Sequence, residues 1–416
     1  MAGEQGRVID WLSGCRERLL GHVTAWAGIN SWSLDPHGLA RMHERLSRDF
    51  SHLGRVSRIS GGSRVAIDAS GRELTTQLGD ILQVRRTSTG TALRVLLAIH
   101  MDTVYPPAAG QPDVRLHAGG RILRGPGVTD AKGGLAVMLA ALEAFERFGE
   151  TDRLAWEVIV NADEEIGSPG SARVLDEAAR RHDVGLLFEP ALDEHGSLAS
   201  ARLGSGNFTI VVRGKAAHAG RHFSEGRNAL MTAARLALAI DDFNRLGRGL
   251  TANAAALHGG EGFNVVPDLA ILRVNIRACS SAPADWALGK LRDLVTEAGR
   301  VEGITATVHG GFHCPPKPLD SSGELLLEHV ATCGRAIGLS IGWRPTGGVC
   351  DGNKLAASGL PNVDTLGVRG GGIHSPDEFL LVDSLVERAT LTALLLCGLA
   401  NGSLFWPRKK AGDYGA

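Results

Sequence analysis

The sequence has few cysteines, and they are scattered over its 416 residues. No two of them form a Cys-x-x-Cys pair, since the six are Cys15, Cys279, Cys314, Cys333, Cys350 and Cys397. Disulfide frameworks and structural zinc knuckles need closely spaced cysteines. The pattern therefore argues against both and favours reduced thiols.

Blocks of one charge and long apolar runs are also scarce. Lysine and arginine number 44, aspartate and glutamate 45, and the net charge is -1. The one basic block, Pro407-Arg408-Lys409-Lys410, is expected to be a solvated tail. This balance argues against nucleic acid and membrane surfaces as partners. No apolar run reaches the ~20 residues that span a membrane. Residues 1–20 predict an amphipathic helix without the apolar core of a signal peptide, which favours a cytoplasmic location.

The length predicts two domains, because one compact core rarely accommodates so long a chain. Helical stretches at 133–148 and 171–181 alternate with apolar strand patterns. These strand patterns lie at 93–99, 156–160, 184–188 and, more weakly, 363–368. The alternation predicts an α/β sheet that is largely parallel and covered by helices on both faces.

The middle of the chain follows a different order. Between residues 205 and 312 the patterns read strand, helix, strand, strand, helix, strand, which is the ferredoxin-like α+β order. We therefore expect an inserted domain at 205–312, flanked by the two parts of the first domain at 1–204 and 313–416. Its sheet would have one face for helices and an edge free to pair with a second copy of the chain.

Five metal-binding side chains lie between residues 100 and 374, most of them at the ends of apolar runs. They are His100 in His-Met-Asp, Asp130 in Gly-Val-Thr-Asp-Ala-Lys-Gly-Gly, Glu165 in Asp-Glu-Glu, Glu189 in Phe-Glu-Pro and His374 in Gly-Ile-His-Ser-Pro-Asp-Glu. Two histidines and three carboxylates supply one bridging ligand and two further ligands for each of two divalent ions. The carboxyl ends of strands are also where open α/β sheets bind ligands. The set predicts a two-metal hydrolase site and leaves Glu164 as a possible base.

Each element alone has a plainer explanation. Asp130 could cap a helix, and the acidic triplet could be a solvated turn. Glu189 needs a partner after a buried strand, and an arginine would serve as well as a metal. His100 could bind a metal through one ring nitrogen while Asp102 accepts a hydrogen bond from the other. The joint occurrence of all five elements carries the metal-site prediction.

In combination these motifs resemble the M20 family of co-catalytic zinc peptidases and amidohydrolases, over nearly the whole chain. That family includes glutamate carboxypeptidases, aminoacylases, acetylornithine deacetylase and succinyl-diaminopimelate desuccinylase. The resemblance implies a zinc-peptidase-like catalytic domain of mixed sheet type with an inserted dimerisation, or lid, domain. It also implies two divalent metal ions, with zinc as first choice and cobalt or manganese as alternatives.

The resemblance implies a division of the ligands between the two ions. His100 and Glu189 would hold one ion, Glu165 and His374 would hold the other, and Asp130 would bridge them. It further implies a cis peptide bond after Asp130.

Five other residues gain roles from the same resemblance. Asp102 would orient the first histidine ligand, and Glu164 would act as general base and then as general acid. His218, in Gly-Lys-Ala-Ala-His-Ala-Gly, would reach into the partner subunit's site and stabilise the oxyanion. Asn264 and Arg277 would hold the α-carboxylate of the substrate, for which the planar fork of arginine is suited. Taken alone, the last three would be a surface histidine, a turn asparagine and a salt-bridged arginine.

The chain departs from the family pattern at two places that concern substrate selectivity. Arg221-His222-Phe223-Ser224 follows the lid motif where a proline is frequent, and Cys350 stands where serine or threonine is frequent. Glutamate at position 189, by contrast, is typical of acyl-amino-acid hydrolases and carboxypeptidases. The resemblance therefore implies a homodimeric, glutamate-carboxypeptidase-like enzyme. It would cleave an amide bond next to a free carboxylate in an N-acyl amino acid or peptide.

Two alternatives stay open. One is a deacylase of N-acyl diamino acids, of the acetylornithine deacetylase or succinyl-diaminopimelate desuccinylase type. The other is a non-catalytic protein that binds metal or an amino acid on the same fold. The presence of Glu164 argues against the second, because such a protein has no need of a base.

Overall fold

The computed structural model describes residues 2–87, 92–107 and 113–408. The part of the expected solvated tail from Lys409 onward lies outside them. No helix in these ranges is both long and apolar enough to cross a membrane. The helices are α1 (Ala2–Ser13), α2 (Arg16–Ala27), α3 (Pro36–Phe50), α4 (Gly134–Phe148), α5 (Ala172–Arg181), α6 (Ala229–Asp241), α7 (Ser281–Ala298), α8 (Ser321–Ala336), α9 (Asp351–Ala357) and α10 (Asp383–Asn401).

The strands of the described residues divide among several sheets, of which a six-stranded and a four-stranded sheet define the architecture. The strands are β1 (Arg55–Ile59), β2 (Ser63–Ile67), β3 (Glu73–Gln77), β4 (Ile81–Arg86), β5 (Leu93–His100), β6 (Arg115–His117), β7 (Ile122–Arg124), β8 (Leu154–Asn161), β9 (Val184–Leu187), β10 (Leu198–Arg202), β11 (Gly204–Arg213), β12 (Ala217–His218), β13 (Leu250–Gly259), β14 (Val265–Val266), β15 (Leu269–Ala278), β16 (Thr305–Cys314), β17 (Trp343–Thr346), β18 (Asn362–Val363), β19 (Gly370–Gly371) and β20 (Phe379–Leu381).

The six-stranded sheet has the order β1-β4-β8-β5-β9-β18. Strands β8, β5, β9 and β18 are parallel, while β4 and β1 are antiparallel to them. Successive side chains of β5 enter different cores: Leu97 packs in the core that contains α4 and α10, and Leu96 in the core that contains α5. A strand with helices on both faces is apolar on both faces, which explains the continuous apolar run. The predicted mixed α/β fold is confirmed.

The four-stranded sheet is antiparallel, with the order β13-β15-β11-β16. Helices α6 and α7 pack on it and form a separate core drawn from residues between Phe208 and Ile304. This is the ferredoxin-like arrangement expected from the order of the patterns. The domain limits at 204/205 and 312/313 and the dimerisation role stay predictions. Strand β13 is one of the two edge strands of this sheet, and most of its residues after Ala252 are exposed.

Two expected elements differ from the structure. The single helix expected over residues 1–20 is broken into α1 and α2 at Gly14, a residue with a low helix propensity. The strand expected at 363–368 ends at Val363, because Asp364 turns inward to pair with Arg202 and Lys317.

Candidate metal centre

The fold brings the five predicted ligands to the carboxyl edge of the six-stranded sheet. His100 is the last residue of β5, and Glu189 follows β9 by two residues. Glu165 follows β8 in a short 3₁₀ turn, and Asp130 lies in the irregular turn that leads into α4. His374 comes from the loop between β19 and β20 and has a left-handed φ of 60°. Separate elements thus contribute one ligand each.

The ligand atoms form two overlapping groups that share Asp130. In the first group, His100 Nε2 lies 3.1 Å from Asp130 Oδ1 and 3.6 Å from Glu189 Oε2. In the second, His374 Nε2 lies 3.3 Å from Asp130 Oδ2 and 3.1 Å from Glu165 Oε2. The two oxygens of Asp130 therefore face different groups, as a bridging carboxylate requires. The peptide bond after Asp130 is cis, as expected.

These spacings fit a pair of divalent ions. Tetrahedral metal–ligand bonds of about 2.1 Å place neighbouring ligand atoms about 3.4 Å apart. The four distances between ligand atoms, from 3.1 to 3.6 Å, lie around that value. Each group supplies one imidazole nitrogen and two carboxylate oxygens, which suits zinc and related divalent metals.

Without a cation the cluster is electrostatically unfavourable. Burial, followed by repulsion between neighbouring carboxylates, raises the pKa of Glu165 to about 7. Burial likewise raises the pKa of Glu189, although the charge of His100 opposes this rise. Hydrogen bonds to Asp130 and Glu165 raise the pKa of His374 to about 10. In the metal-free protein, protons bound to these side chains therefore supply the positive charge that metal ions would otherwise supply.

Asp102 lies against the ring of His100 and also contacts the acidic turn. The Nδ1 atom of His100 lies 3.0 Å from the backbone carbonyl oxygen of Asp102 and 3.4 Å from its carboxylate. The carboxylate also accepts hydrogen bonds from the backbone N–H groups of Glu164 and Glu165, both at 3.2 Å, and from the hydroxyl of Ser33 at 2.7 Å. Asp102 thus contacts His100 and also fixes the backbone of the acidic turn, and its role in orienting the histidine stays a prediction.

The three acids of the turn point in three directions. Asp163 accepts hydrogen bonds from Ser171 Oγ and the N–H of Gly170, away from the ligands. Glu165 faces His374. Glu164 lines the same cavity as the ligands, and burial, followed by the negative charge of Glu189, raises its pKa well above the usual value. Of the three acids, Glu164 is thus the one whose carboxylate faces the cavity without a hydrogen bond or ion pair in the described part of the chain.

Glu378 is a site residue that the sequence analysis missed. It is buried, and its carboxylate accepts hydrogen bonds from the N–H groups of Gly127, Thr129 and Asp130 at 2.8 to 2.9 Å. It also accepts one from the hydroxyl of Tyr105 at 2.7 Å. Asp130, the predicted bridging ligand, is therefore held in place by a carboxylate four residues after His374. The only signal in the sequence was the second acid of His-Ser-Pro-Asp-Glu.

A cavity of about 700 Å³ opens beside the ligands, and Arg277 is one of its lining residues. His218 and Asn264 do not line it. They lie together elsewhere, since β12 pairs with β14 and the N–H of Ala219 donates to the carbonyl of Asn264. Both side chains are exposed. The structure thus separates Asn264 from Arg277 within one chain, although both were expected to hold one carboxylate.

The two departures from the family pattern have different surroundings. Cys350 lines the cavity, caps α9 and is buried, and burial raises the pKa of its thiol well above the usual value. It therefore presents a neutral thiol. His222 is exposed and pairs with Glu225 at 2.9 Å, away from the cavity.

Comparison with known proteins places this geometry in context. Residues 96–397 match the model of peptidase family M20/M25/M40. Carboxypeptidase G2 of Pseudomonas sp. (strain RS-16) is 30% identical over 312 residues, which are 74% of each chain. Succinyl-diaminopimelate desuccinylase of Verminephrobacter eiseniae is 27% identical over 68% of this chain and 73% of its own. A solved tripeptidase of Staphylococcus aureus superposes with a TM-score of 0.72 at 23% identity, covering 92% of this chain and 98% of that one.

Added Zn²⁺ is expected to raise the melting temperature more near pH 8 than near pH 5. The folded pKa of Glu165, about 7, exceeds the unfolded value. Its stabilising contribution is therefore complete below about pH 4 and lost as the pH rises through about 7. The contribution of His374 is lost in turn between about pH 6.5 and its folded pKa of about 10. Asp130, whose pKa is lowered, contributes equally across this window.

Thermal denaturation of chelator-treated protein, with and without Zn²⁺ at several pH values, measures this effect. Metal ions replace the protons that the ligands lose, so the shift should grow with pH. A shift that is the same or smaller near pH 8 would contradict the electrostatic account.

Glu378→Gln is expected to weaken metal binding by roughly 10–100-fold, because a neutral amide holds the Asp130 turn less firmly. Competition with a chromophoric chelator measures the affinity. Asp377→Asn is the matched control, since the Asp377 side chain is 89% exposed and faces Arg124. Equal affinities in the two variants would show that Glu378 does not position the bridging ligand.

Proposed function

The chain belongs to peptidase family M20/M25/M40, a family of metal-dependent hydrolases, and from that premise we propose that it is a glutamate-carboxypeptidase-like enzyme. It cleaves an amide bond next to a free carboxylate and releases an amino acid from an N-acyl amino acid or a peptide. It uses two divalent metal ions, with zinc as the first choice. The ions are held by His100, Asp130, Glu165, Glu189 and His374. The cytoplasmic location stays a prediction.

The observation that carries this proposal is the position of Arg277. It lines the cavity that contains Glu164 and the ligand carboxylates, and its Nη1 donates to the carbonyl oxygen of Gly347 at 2.7 Å. Among the described residues no carboxylate forms an ion pair with it. A guanidinium beside a hydrolytic centre binds a substrate carboxylate in a bidentate manner. The resemblance to carboxypeptidase G2 supports the same substrate class.

The residues around the ligands divide the chemical work. Two bound divalent ions would polarise the amide carbonyl and lower the pKa of the attacking water. Glu164 takes the proton from that water and returns it to the leaving amine, because it is the acid beside the ligands that is left free. Asp102 holds the backbone of Glu164 and Glu165 in register with the ligands. Arg277 fixes the substrate by its carboxylate.

His218 and Asn264 act on the neighbouring subunit's site in this proposal. Two observations support it: both lie outside the cavity of their own chain, and the exposed edge strand β13 is available for pairing. An exposed strand edge is a ready template for a second chain. In a homodimer, His218 would stabilise the developing oxyanion, and Asn264 would meet the carboxylate held by Arg277.

A deacylase of N-acyl diamino acids is the second candidate function. Several relatives at 27–28% identity are succinyl-diaminopimelate desuccinylases, which favours it. It would use the same ligands and the same base and differ only in the acyl and amino groups. A non-catalytic binding protein fits less well, since it does not account for the position of Glu164 beside the ligands.

Zinc-loaded protein is expected to release amino acid from N-acylglutamates and related blocked amino acids, and chelator should abolish the release. The assay compares these substrates with acetylated and succinylated diamino acids and with free dipeptides. Release confined to the diamino acids would favour the deacylase. If protein with two bound metal ions released amino acid from none of these compounds, the proposed function would be contradicted.

Mixing two inactive variants tests the role of His218 across the dimer. Glu164→Ala should lose turnover by at least ~100-fold with its metals retained, and His218→Ala should also lose rate with its metals retained. If His218 acts on the partner's site, half of the sites in a mixed dimer are intact. A statistical mixture then recovers about a quarter of the wild-type rate. No recovery after demonstrated exchange of subunits would place His218 in its own chain's site or outside catalysis.

A further inference from the structure

Arg64, like Arg277, lines the cavity and has no acidic partner among the described residues. The two arginines are far apart in the sequence. Arg64 lies on β2, the first strand of the β2–β3 hairpin (63–77), and belongs to the cavity lining together with Arg277. It is partly buried, and its Nε is buried without a hydrogen-bond partner in the described part of the chain. A buried donor left unpaired is costly, so such a group indicates a missing partner.

Arg202, the third arginine in the cavity lining, already has an acidic partner. Arg202 forms a bidentate pair with Asp364 at 2.8 and 2.9 Å. Arg64 differs, since no acid of the described residues forms an ion pair with it; burial lowers its pKa, and the charge of Asp163 opposes this. Asp163 in turn is satisfied by Ser171 and the N–H of Gly170. Two of the three lining arginines are thus left to interact with a ligand.

The hairpin is built to hold Arg64 at this position. Its base is fixed by backbone packing, because a Cβ on Gly61 would collide with the carbonyl of Gly79, and one on Gly170 with the carbonyl of Gly61. Gly170 belongs to the segment that follows the acidic turn. The base of the hairpin therefore lies directly against the loop that carries Glu164 and Glu165.

The tip of the hairpin is fixed on the four-stranded sheet. Arg213 Nη2 donates to the carbonyl of Gly71 at 2.9 Å, and Arg273 Nη2 donates to that of Ile67 at 3.2 Å. The side chain of Ile67 packs against Val211 and Ile271. With both ends held, the hairpin presents Arg64 to the cavity with little freedom, which favours recognition by preorganisation.

We propose that Arg64 is a specificity-determining residue that binds a second anionic group of the substrate. The inference rests on the proposed function, in which Arg277 binds the carboxylate next to the scissile amide. The preferred substrates therefore carry two carboxylates. The second one belongs either to the side chain of the released amino acid or to the far end of the acyl group, and Arg64 recognises the same chemistry in both cases.

Other arginines of the same region do not share this property. Arg72, at the turn of the hairpin, lies 3.6 Å from Asp68 and is 77% exposed, and Arg58 pairs with Asp80 at 3.5 Å. Of these three arginines, only Arg64 is among the residues that line the cavity. Arg72→Gln is therefore a matched control on the same hairpin.

The test compares pairs of substrates that differ only by a carboxylate and its amide. One pair is N-acetylglutamate and N-acetylglutamine, and the other is N-succinylleucine and N-succinamoylleucine. For wild-type zinc-loaded enzyme the dianionic member should have the higher kcat/KM. Arg64→Gln should reduce kcat/KM for the preferred dianion by roughly tenfold to a hundredfold and change that for its amide little. Arg64→Lys should retain part of the preference, and Arg72→Gln all of it.

The pair in which the loss occurs identifies where the second carboxylate lies. Equal losses for the dianion and its amide, or no loss for either, would overturn the inference while leaving the proposed function intact. Binding of the same pairs to zinc-loaded Glu164→Ala, with and without Arg64→Gln, gives a readout without turnover. If the wild type turned over none of the four compounds, the proposed function would fail, and the binding preference would still decide the role of Arg64.

Discussion

Negative charge concentrated at the carboxyl edge of the six-stranded sheet is the constraint on which the rest of the structure depends. Asp130, Glu164, Glu165 and Glu189 converge there in a partly enclosed cavity, and burial raises the pKa of the last three. Such a cluster is stable only with compensating cations. Two histidines lie within ligand distance of these acids, so the arrangement that would be unfavourable in the empty protein becomes favourable with divalent metals.

Much of the surrounding structure serves to hold these acids against their repulsion. The carboxylate of Asp102 accepts hydrogen bonds from backbone N–H groups of the acidic turn. The carboxylate of Glu378 accepts them in the same way from the turn that contains Asp130. Both are themselves buried acids that accept several hydrogen bonds from N–H groups. The backbone dipoles thus offset part of the negative charge before any metal binds. Arg64 of the β2–β3 hairpin and Arg277 then add positive charge to the lining of the same cavity.

The sequence predicted the elements that follow from periodicity and from short motifs. The runs ending at His100, Asn161 and Leu187 are buried on both faces, and their continuous apolar pattern therefore predicted parallel strands. Three of the predicted ligands lie at the ends of these runs or a few residues after them. The hydrogen bonds from the N–H groups of Glu164 and Glu165 to Asp102 were not predicted, because spacing in sequence does not show which backbone groups approach a carboxylate. Glu378 and Arg64 were missed for a related reason, since their roles depend on packing between segments far apart in the chain. Spacing also could not show that Asn264 lies apart from Arg277.

The most direct test of the account is a titration of metal-free protein with Zn²⁺, following bound metal and hydrolysis of an N-acylglutamate in the same samples. The account predicts two bound ions per chain and hydrolysis that rises with their occupancy. Binding of fewer than two ions per chain, or full occupancy without hydrolysis of any blocked amino acid, would contradict it.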